Sequence, residues 1–246
     1  MAEFDFKTAE YNLPLLPKSE KPKWSRKILQ SELVADFRTL KVNSDSVIES
    51  EWAGFIERHN RALEMCIRPD IFFSAATRLE DSTRHEDVIR IHRSLLSCNL
   101  NPDLRIGIID QLSGLLAPTA SIGLLHDEKH LFQRTAPQYL PKIKQIELAV
   151  LKRGLNETRP ATAEQRTAAE AILELDPTDR DAHAVIAWSD LQQKKYRESE
   201  SRFQKLWQAE PDNRDYALGL GYSRLNSGRL DDALEPFENN LIADDS

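Results

Sequence analysis

Glycine is scarce in this chain, and so is the alternating pattern of β-strands. The 246 residues include eight glycines, and no stretch alternates polar with β-branched residues as a half-buried strand does. Alanine, leucine, glutamate, lysine, arginine and glutamine fill the long segments instead, and these residues favour helix. Hydrophobic residues make up 40% of the chain, which is enough to bury a core. The sequence therefore predicts an all-α protein of one large or two small domains.

Basic runs and long hydrophobic runs are also lacking. The net charge of −7 argues against nucleic-acid binding, and we interpret the short basic segment Lys18–Lys27 as a solvated tail. Glu3 and Asp5 interrupt the first residues, so we expect no signal peptide. The most apolar stretch, Leu112–Leu125, contains Pro118 and is too short to span a bilayer. These features predict a cytoplasmic protein that binds no nucleic acid and has no membrane span.

The sequence contains two cysteines, Cys66 and Cys98, which lie far apart on predicted apolar helix faces. Buried free cysteine behaves as a small hydrophobic residue. We interpret both as reduced, buried thiols rather than as a disulfide, which agrees with the predicted cytoplasmic location.

Residues 1–27 are predicted to form a flexible N-terminal tail, because three prolines stand there among lysine, glutamate and serine. The segment also carries apolar side chains, from Phe4 to Trp24. Two interpretations remain open: the tail has no docking role, or it docks in a groove on this chain or on a partner.

Residues 28–154 are predicted to form a helical domain, made of degenerate repeats or of an unrelated fold. Helical periods run through Leu29–Phe37, Trp52–Cys66, Arg84–Ser97, Asn101–Leu115 and Pro137–Gly154. Ser46 with Glu49 and Thr83 with Glu86 have capping-box spacing. Pro69 ends the second helix, and Asn101 caps the fourth.

Residues 160–246 repeat with a period of 34. Thr162 is placed to cap a helix over Ala163–Leu175, which ends at Asp176-Pro177, and the same kind of stop recurs at Glu210-Pro211. The prolines lie 34 residues apart (211 − 177), the period of tetratricopeptide repeats. The equivalent residues are Ala187 and Gly221, Trp188 and Tyr222, Leu191 and Leu225, Tyr196 and Leu230, Ser199 and Ala233, and Phe203 and Phe237.

This region resembles the tetratricopeptide repeat family. The phrases that carry the resemblance are Leu220-Gly221-Tyr222, Gly228–Leu234, and Lys195–Ser199 leading to Phe203 and Glu210-Pro211. The resemblance implies a right-handed solenoid of antiparallel helix pairs, in which small residues lie where the two helices of a pair cross and large ones fill the space between pairs. It also implies a non-catalytic module that binds other proteins, without a cofactor.

In this family the first helix of each pair lines a groove that binds the partner. By resemblance the groove residues are Asp181, Ala184, Trp188, Leu191, Gln192, Asp215, Leu218, Tyr222, Leu225 and Asn226. Some members bind a terminal carboxylate with lysine and asparagine, and this chain lacks both at the matching positions. We therefore expect an apolar peptide or an amphipathic helix as partner. A scaffold or adaptor is the favoured interpretation, and a secretion or assembly chaperone is the alternative.

Two features depart from a regular array. Pro236 falls inside the last predicted helix and should distort or shorten it. No polar capping helix follows Leu241, although repeat stacks normally need one. Leu234, Phe237 and Leu241 are therefore expected to form an exposed surface for self-association or for a partner that completes the stack.

A catalytic interpretation is available in one segment. His126 and His130 are placed to share a metal ion from one helix face, as in zinc hydrolases. That pattern has glutamate after the first histidine, whereas Asp127 stands here, and no third ligand is evident. We interpret the segment as a polar helix face and predict that the protein is not an enzyme; a metal-dependent hydrolase is the alternative.

Overall fold

The computed structural model describes residues 12–42, 49–79, 84–156 and 162–242. Within these residues the chain forms thirteen α-helices and two short 3-10 helices, at Leu13–Leu15 and Pro137–Tyr139, and no strand. The all-α prediction is confirmed. The chain divides into two compact units, Met1–Ala117 and Pro118–Ser246, whereas the sequence predicted the boundary of the repeat region at residues 154–160.

The first unit contains six helices among its described residues. They are α1 (Lys21–Val42), α2 (Glu49–Arg58), α3 (Asn60–Glu64), α4 (Pro69–Thr77), α5 (His85–Leu96) and α6 (Pro102–Leu115). The predicted tail is therefore too long, since residues 21–27 are helical. Pro22 stands in the first turn of α1, where a missing N–H breaks no helical hydrogen bond. The tail residues Phe4, Phe6 and Tyr11 lie outside the described residues.

The predicted helix over Trp52–Cys66 is wrong in its extent. The helix is interrupted at His59 and ends after Glu64. Cys66 and Arg68, which follow it, have positive φ angles of 53° and 51°. Residues other than glycine rarely adopt this left-handed backbone conformation. A right-handed helix cannot continue through it, because its residues have negative φ angles. Pro69 then begins α4 as well as closing the preceding segment.

Of the predicted caps in this unit, the one at Asn101 is confirmed. Its side chain accepts a hydrogen bond from the backbone N–H of Leu104 at 2.9 Å. The N-cap of α5 is Arg84 rather than the predicted Thr83. Ser46 and Thr83 themselves lie outside the described residues.

The two cysteines form a disulfide, which contradicts the predicted reduced thiols. The Sγ atoms of Cys66 and Cys98 are 2.06 Å apart and their Cα atoms 5.6 Å apart. Cys66 lies in the turn between α3 and α4, and Cys98 lies between α5 and α6. Because α3 ends at Glu64, Cys66 is not on the apolar helix face that the sequence predicted. The bond instead joins two turns of the first unit.

One buried histidine makes the stability of this unit depend on pH. His92 on α5 is fully buried, with its ring centroid 5.9 Å from that of Phe73. Burial lowers the pKa of His92 from its ordinary 6.5 to about 4, and the Gln111 side chain opposes part of this shift. Between these pH values the unfolded chain binds the proton and the folded chain does not, so stability falls as pH falls through this window.

We expect His92 to lower the free energy of unfolding by about 3 kcal/mol between pH 7 and pH 4. Urea unfolding of the wild type and of His92→Gln, followed by circular dichroism at several pH values, measures this. Since carboxylates titrate in both proteins, the difference between them isolates His92. Parallel pH profiles of the two proteins would contradict the prediction.

The second unit contains seven helices among its described residues. They are α7 (Pro118–Thr135), α8 (Leu140–Asn156), α9 (Ala163–Leu175), α10 (Arg180–Gln192), α11 (Tyr196–Ala209), α12 (Arg214–Asn226) and α13 (Leu230–Ile242). Each packs against the next along the chain, and α10 also contacts α12. The helices α10 and α11, and α12 and α13, form the two pairs expected from the 34-residue period, and α9, the predicted preceding helix, pairs with α8. The predicted stack of helix pairs is confirmed, and it begins upstream of residue 160.

The helix cap predicted in this unit is present, whereas the predicted effect of Pro236 is not. Thr162 and Gln165 form a capping box at α9, each side chain bonding the backbone N–H of the other residue, at 3.2 and 2.9 Å. Pro236 lies inside α13, which nevertheless runs on to Ile242, so the predicted shortening is not seen. Among the described helices none is long and apolar enough to cross a membrane.

Candidate protein-interaction surface

The same aromatic contact closes the last two helix pairs. Trp188 on α10 meets Phe203 on α11 edge to face, with ring centroids 4.9 Å apart and planes at 70°. Tyr222 on α12 meets Phe237 on α13 in the same way, at 5.4 Å and 72°. Such edge-to-face geometry is favourable for two rings. The residue equivalence predicted from the sequence is therefore present in space.

Two glycines allow α12 to lie close to both of its neighbours. A Cβ atom at Gly219 would be 2.4 Å from the ring of Phe203 in the preceding pair, and one at Gly221 would be 2.6 Å from the ring of Phe237. A small residue at the Gly221 position was predicted for this reason. The role of Gly219 was missed, because the equivalent residue in the preceding pair is Val185.

Ion pairs connect each second helix to the first helix of the next pair, with the charges reversed between repeats. Arg166 on α9 contacts Asp190 on α10 at 2.6 Å, and Glu200 on α11 contacts Arg224 on α12 at 3.3 Å. Arg166 and Glu200 are equivalent in the repeat, and so are Asp190 and Arg224. Sequence reasoning missed these pairs, although opposite charges 24 residues apart in both repeats were a detectable signal.

The ten predicted groove residues lie on α10 and α12, the first helices of two adjacent pairs. Their spacing of three, four and seven residues places each set on one side of its helix. Exposed members are Asp181, Gln192, Asp215, Tyr222, Leu225 and Asn226; half-buried members are Ala184, Trp188, Leu191 and Leu218. We call these ten residues the first-helix surface.

The two aromatic residues of this surface differ in exposure. Trp188 packs against a buried cluster that includes Phe203, Tyr216 and Leu220, so its ring contributes to the contact between pairs. Tyr222 occupies the equivalent position in the last described pair and is 44% exposed, and Leu225 is 39% exposed. The apolar area of the first-helix surface is therefore concentrated on α12.

The two histidines of α7 are brought together. Their Nε2 atoms are 3.3 Å apart, and both side chains are exposed. Glu128, between them in sequence, is buried on another side of the helix. No group of three or more His, Cys, Asp or Glu residues with the arrangement of a metal site occurs among the described residues. The pair alone therefore offers two ligands, whereas catalytic zinc sites have three from the protein.

The helix pairs, their 34-residue period and their repeated contacts define the second unit as a tetratricopeptide-type stack. No protein-family model and no curated protein sequence matches the chain. Solved structures with a similar arrangement of helices include MamA proteins and tetratricopeptide repeat (TPR) proteins.

Three of these structures illustrate the extent of the similarity. A MamA RS-1 ArsTM double mutant is 15% identical, with a TM-score of 0.45, covering 70% of this chain and 92% of its own. MamA residues 41 to the end from Desulfovibrio magneticus RS-1 is 15% identical, with a TM-score of 0.41, covering 70% and 93%. YrrB, described as a TPR protein with an unusual peptide-binding site, is 13% identical, with a TM-score of 0.41, covering 77% and 90%. At these scores the similarities carry no functional argument.

Proposed function

We propose that this chain is a non-catalytic interaction module, a scaffold or adaptor that binds an apolar peptide or an amphipathic helix of another protein on its first-helix surface. The observation that carries the proposal is the exposure of Tyr222 and Leu225 on α12, beside α10. When a partner covers these partly exposed apolar side chains, the complex is stabilised by about 25 cal/mol for each Å² of apolar surface buried.

The polar residues of the surface suit the same kind of ligand. Asp181 and Gln192 on α10, and Asp215 and Asn226 on α12, are exposed near the two ends of these helices. They provide acceptors and donors that orient a bound segment, while the apolar residues between them provide affinity. No basic residue belongs to this surface, which argues against a terminal carboxylate as the recognised group.

The test is capture of a partner by the full chain, with identification by mass spectrometry. We expect Tyr222→Ala/Leu225→Ala to reduce the amount of the recovered partner by about tenfold or more, because exposed aromatic and aliphatic anchors dominate such interfaces. Trp188 is left unchanged, since its ring also stabilises the contact between pairs.

Leu15→Ala is the matched control, since Leu15 is an exposed leucine of the first unit. This variant should retain the partner, and both variants should keep the helical circular dichroism of the wild type. Undiminished capture by the α12 variant would exclude the first-helix surface as the binding site.

A further inference from the structure

The last described helix, α13, has an exposed apolar face that its equivalents in the stack do not have. Leu230 and Leu234, one turn apart on α13, are 63% and 55% exposed. In the preceding pair the equivalent residues are Tyr196, which is half-buried, and Glu200, which is held in an ion pair with Arg224. We call Leu230 and Leu234, together with the neighbouring carboxylates of Asp231, Glu235 and Glu238, the α13 face.

The position of Leu234 indicates which kind of residue on a partner this face can accept. Its equivalents, Arg166 on α9 and Glu200 on α11, each extend to an opposite charge on the next first helix. A helix that offered a charge like Asp190 or Arg224 at this point would leave that charge against a leucine, which is unfavourable when water is excluded. The α13 face therefore requires an apolar residue opposite Leu234 and does not repeat the contact used within the stack.

The border of the α13 face is acidic. Asp231, Asp232, Glu235 and Glu238 belong to α13 and are exposed, and no lysine, arginine or histidine occurs between Leu230 and Ile242. Asp232 and Glu235 pair with Arg229 and Arg224 of this chain, at 3.7 and 3.9 Å, so Asp231 and Glu238 are the carboxylates that this face offers to a partner. A second copy of this chain, packed two-fold on the same face, would place carboxylates against carboxylates. The charge pattern instead complements a helix that carries basic side chains along one side of an apolar stripe.

From these observations we propose that the α13 face binds a basic amphipathic helix of a partner protein. Apolar residues of that helix cover Leu230 and Leu234, and its lysines or arginines pair with Asp231 and Glu238. This site is separate from the first-helix surface, because it lies on the second helix of the last described pair. The two sites therefore fail or succeed independently.

The test uses a labelled 18-residue peptide of leucine and lysine, with leucine at helical positions i, i+3, i+4 and i+7, titrated with the full chain and followed by fluorescence anisotropy. We expect it to bind at least about tenfold more tightly than the same peptide with glutamate in place of lysine. The variant Leu230→Ser/Leu234→Ser should weaken binding by about tenfold or more. Asp231→Asn/Glu238→Gln should weaken it and reduce its salt dependence.

Matched controls separate this site from others. Leu15→Ser makes the same change at a remote exposed leucine, and Glu174→Gln removes an exposed carboxylate from α9; neither should alter peptide binding. Tyr222→Ala/Leu225→Ala should retain at least part of it, since it changes only the first-helix surface.

Two results would overturn the proposal. Equal affinity for the lysine and glutamate peptides, or for the wild type and the double leucine variant, would show that the face does not select a basic helix. Sedimentation equilibrium that revealed a dimer dependent on Leu230 and Leu234, in a protein that did not bind the lysine peptide, would assign the face to a second copy.

Discussion

Replacing Phe203 with alanine is expected to lower the free energy of unfolding by about 3–5 kcal/mol, the cost of removing a large ring from a core that cannot fully close the cavity. Phe203 is fully buried, meets Trp188 edge to face and lies against Gly219 of the next pair. Its ring therefore contributes both to its own pair and to the contact between pairs. Urea unfolding followed by circular dichroism measures the loss.

Phe237→Ala is the internal control, because Phe237 occupies the equivalent position in the last described pair. It is half-buried, so less surface returns to water and a smaller loss is expected. Equal losses at the two positions would mean that the contact of Phe203 with α12 contributes nothing to stability.

The contact between Phe203 and Gly219 can be isolated by a double-mutant cycle. Gly219→Ala places a methyl group where the ring lies, and such overpacking costs about 1–3 kcal/mol. In the Phe203→Ala background the methyl group enters the space that the ring has left, so its cost should fall. A strictly additive double variant would contradict the close approach of α12 to the ring.

Removal of the disulfide is expected to destabilise the chain by about 3–4 kcal/mol, because the reduced unfolded chain regains the freedom of a long loop. The two cysteines are separated by 32 residues in sequence. Urea unfolding of the wild type with and without reductant measures the effect. The intact mass after alkylation without reductant should show no modified cysteine.

The variant Cys66→Ser/Cys98→Ser is the control for this prediction. It should unfold at the lower urea concentration of the reduced wild type, and reductant should not change its midpoint further. Two alkylated cysteines in the untreated wild type would show that the bond does not form in solution.

The two cysteines are where the structure differs most from the sequence prediction. The sequence placed Cys66 on a continuous apolar helix, and that placement predicted a buried thiol. The helix ends two residues earlier, and the positive φ of Cys66 belongs to a turn that brings it to Cys98. Helical periodicity reports which residues share a face, but it does not report where a chain leaves the helix for a left-handed turn.

The first-helix surface was also predicted only in part from the sequence. The resemblance to the tetratricopeptide repeat family supplied the ten residues of α10 and α12, and helical spacing places each set on one side of its helix. The structure adds that Trp188 packs against the buried cluster between pairs, whereas the ring of Tyr222 is partly exposed. The binding role of the surface stays a proposal.

By itself the sequence determined the features that depend on neighbouring residues: helical content, the 34-residue period, the caps at Asn101 and Thr162, and the aromatic positions of each pair. These follow from backbone hydrogen bonding and side-chain periodicity within a few turns. Only the tertiary structure decided the disulfide, the division after Ala117 and which opposite charges meet between helices. Each of these features depends on which residues distant in sequence come into contact. Those contacts depend on the path of the whole chain.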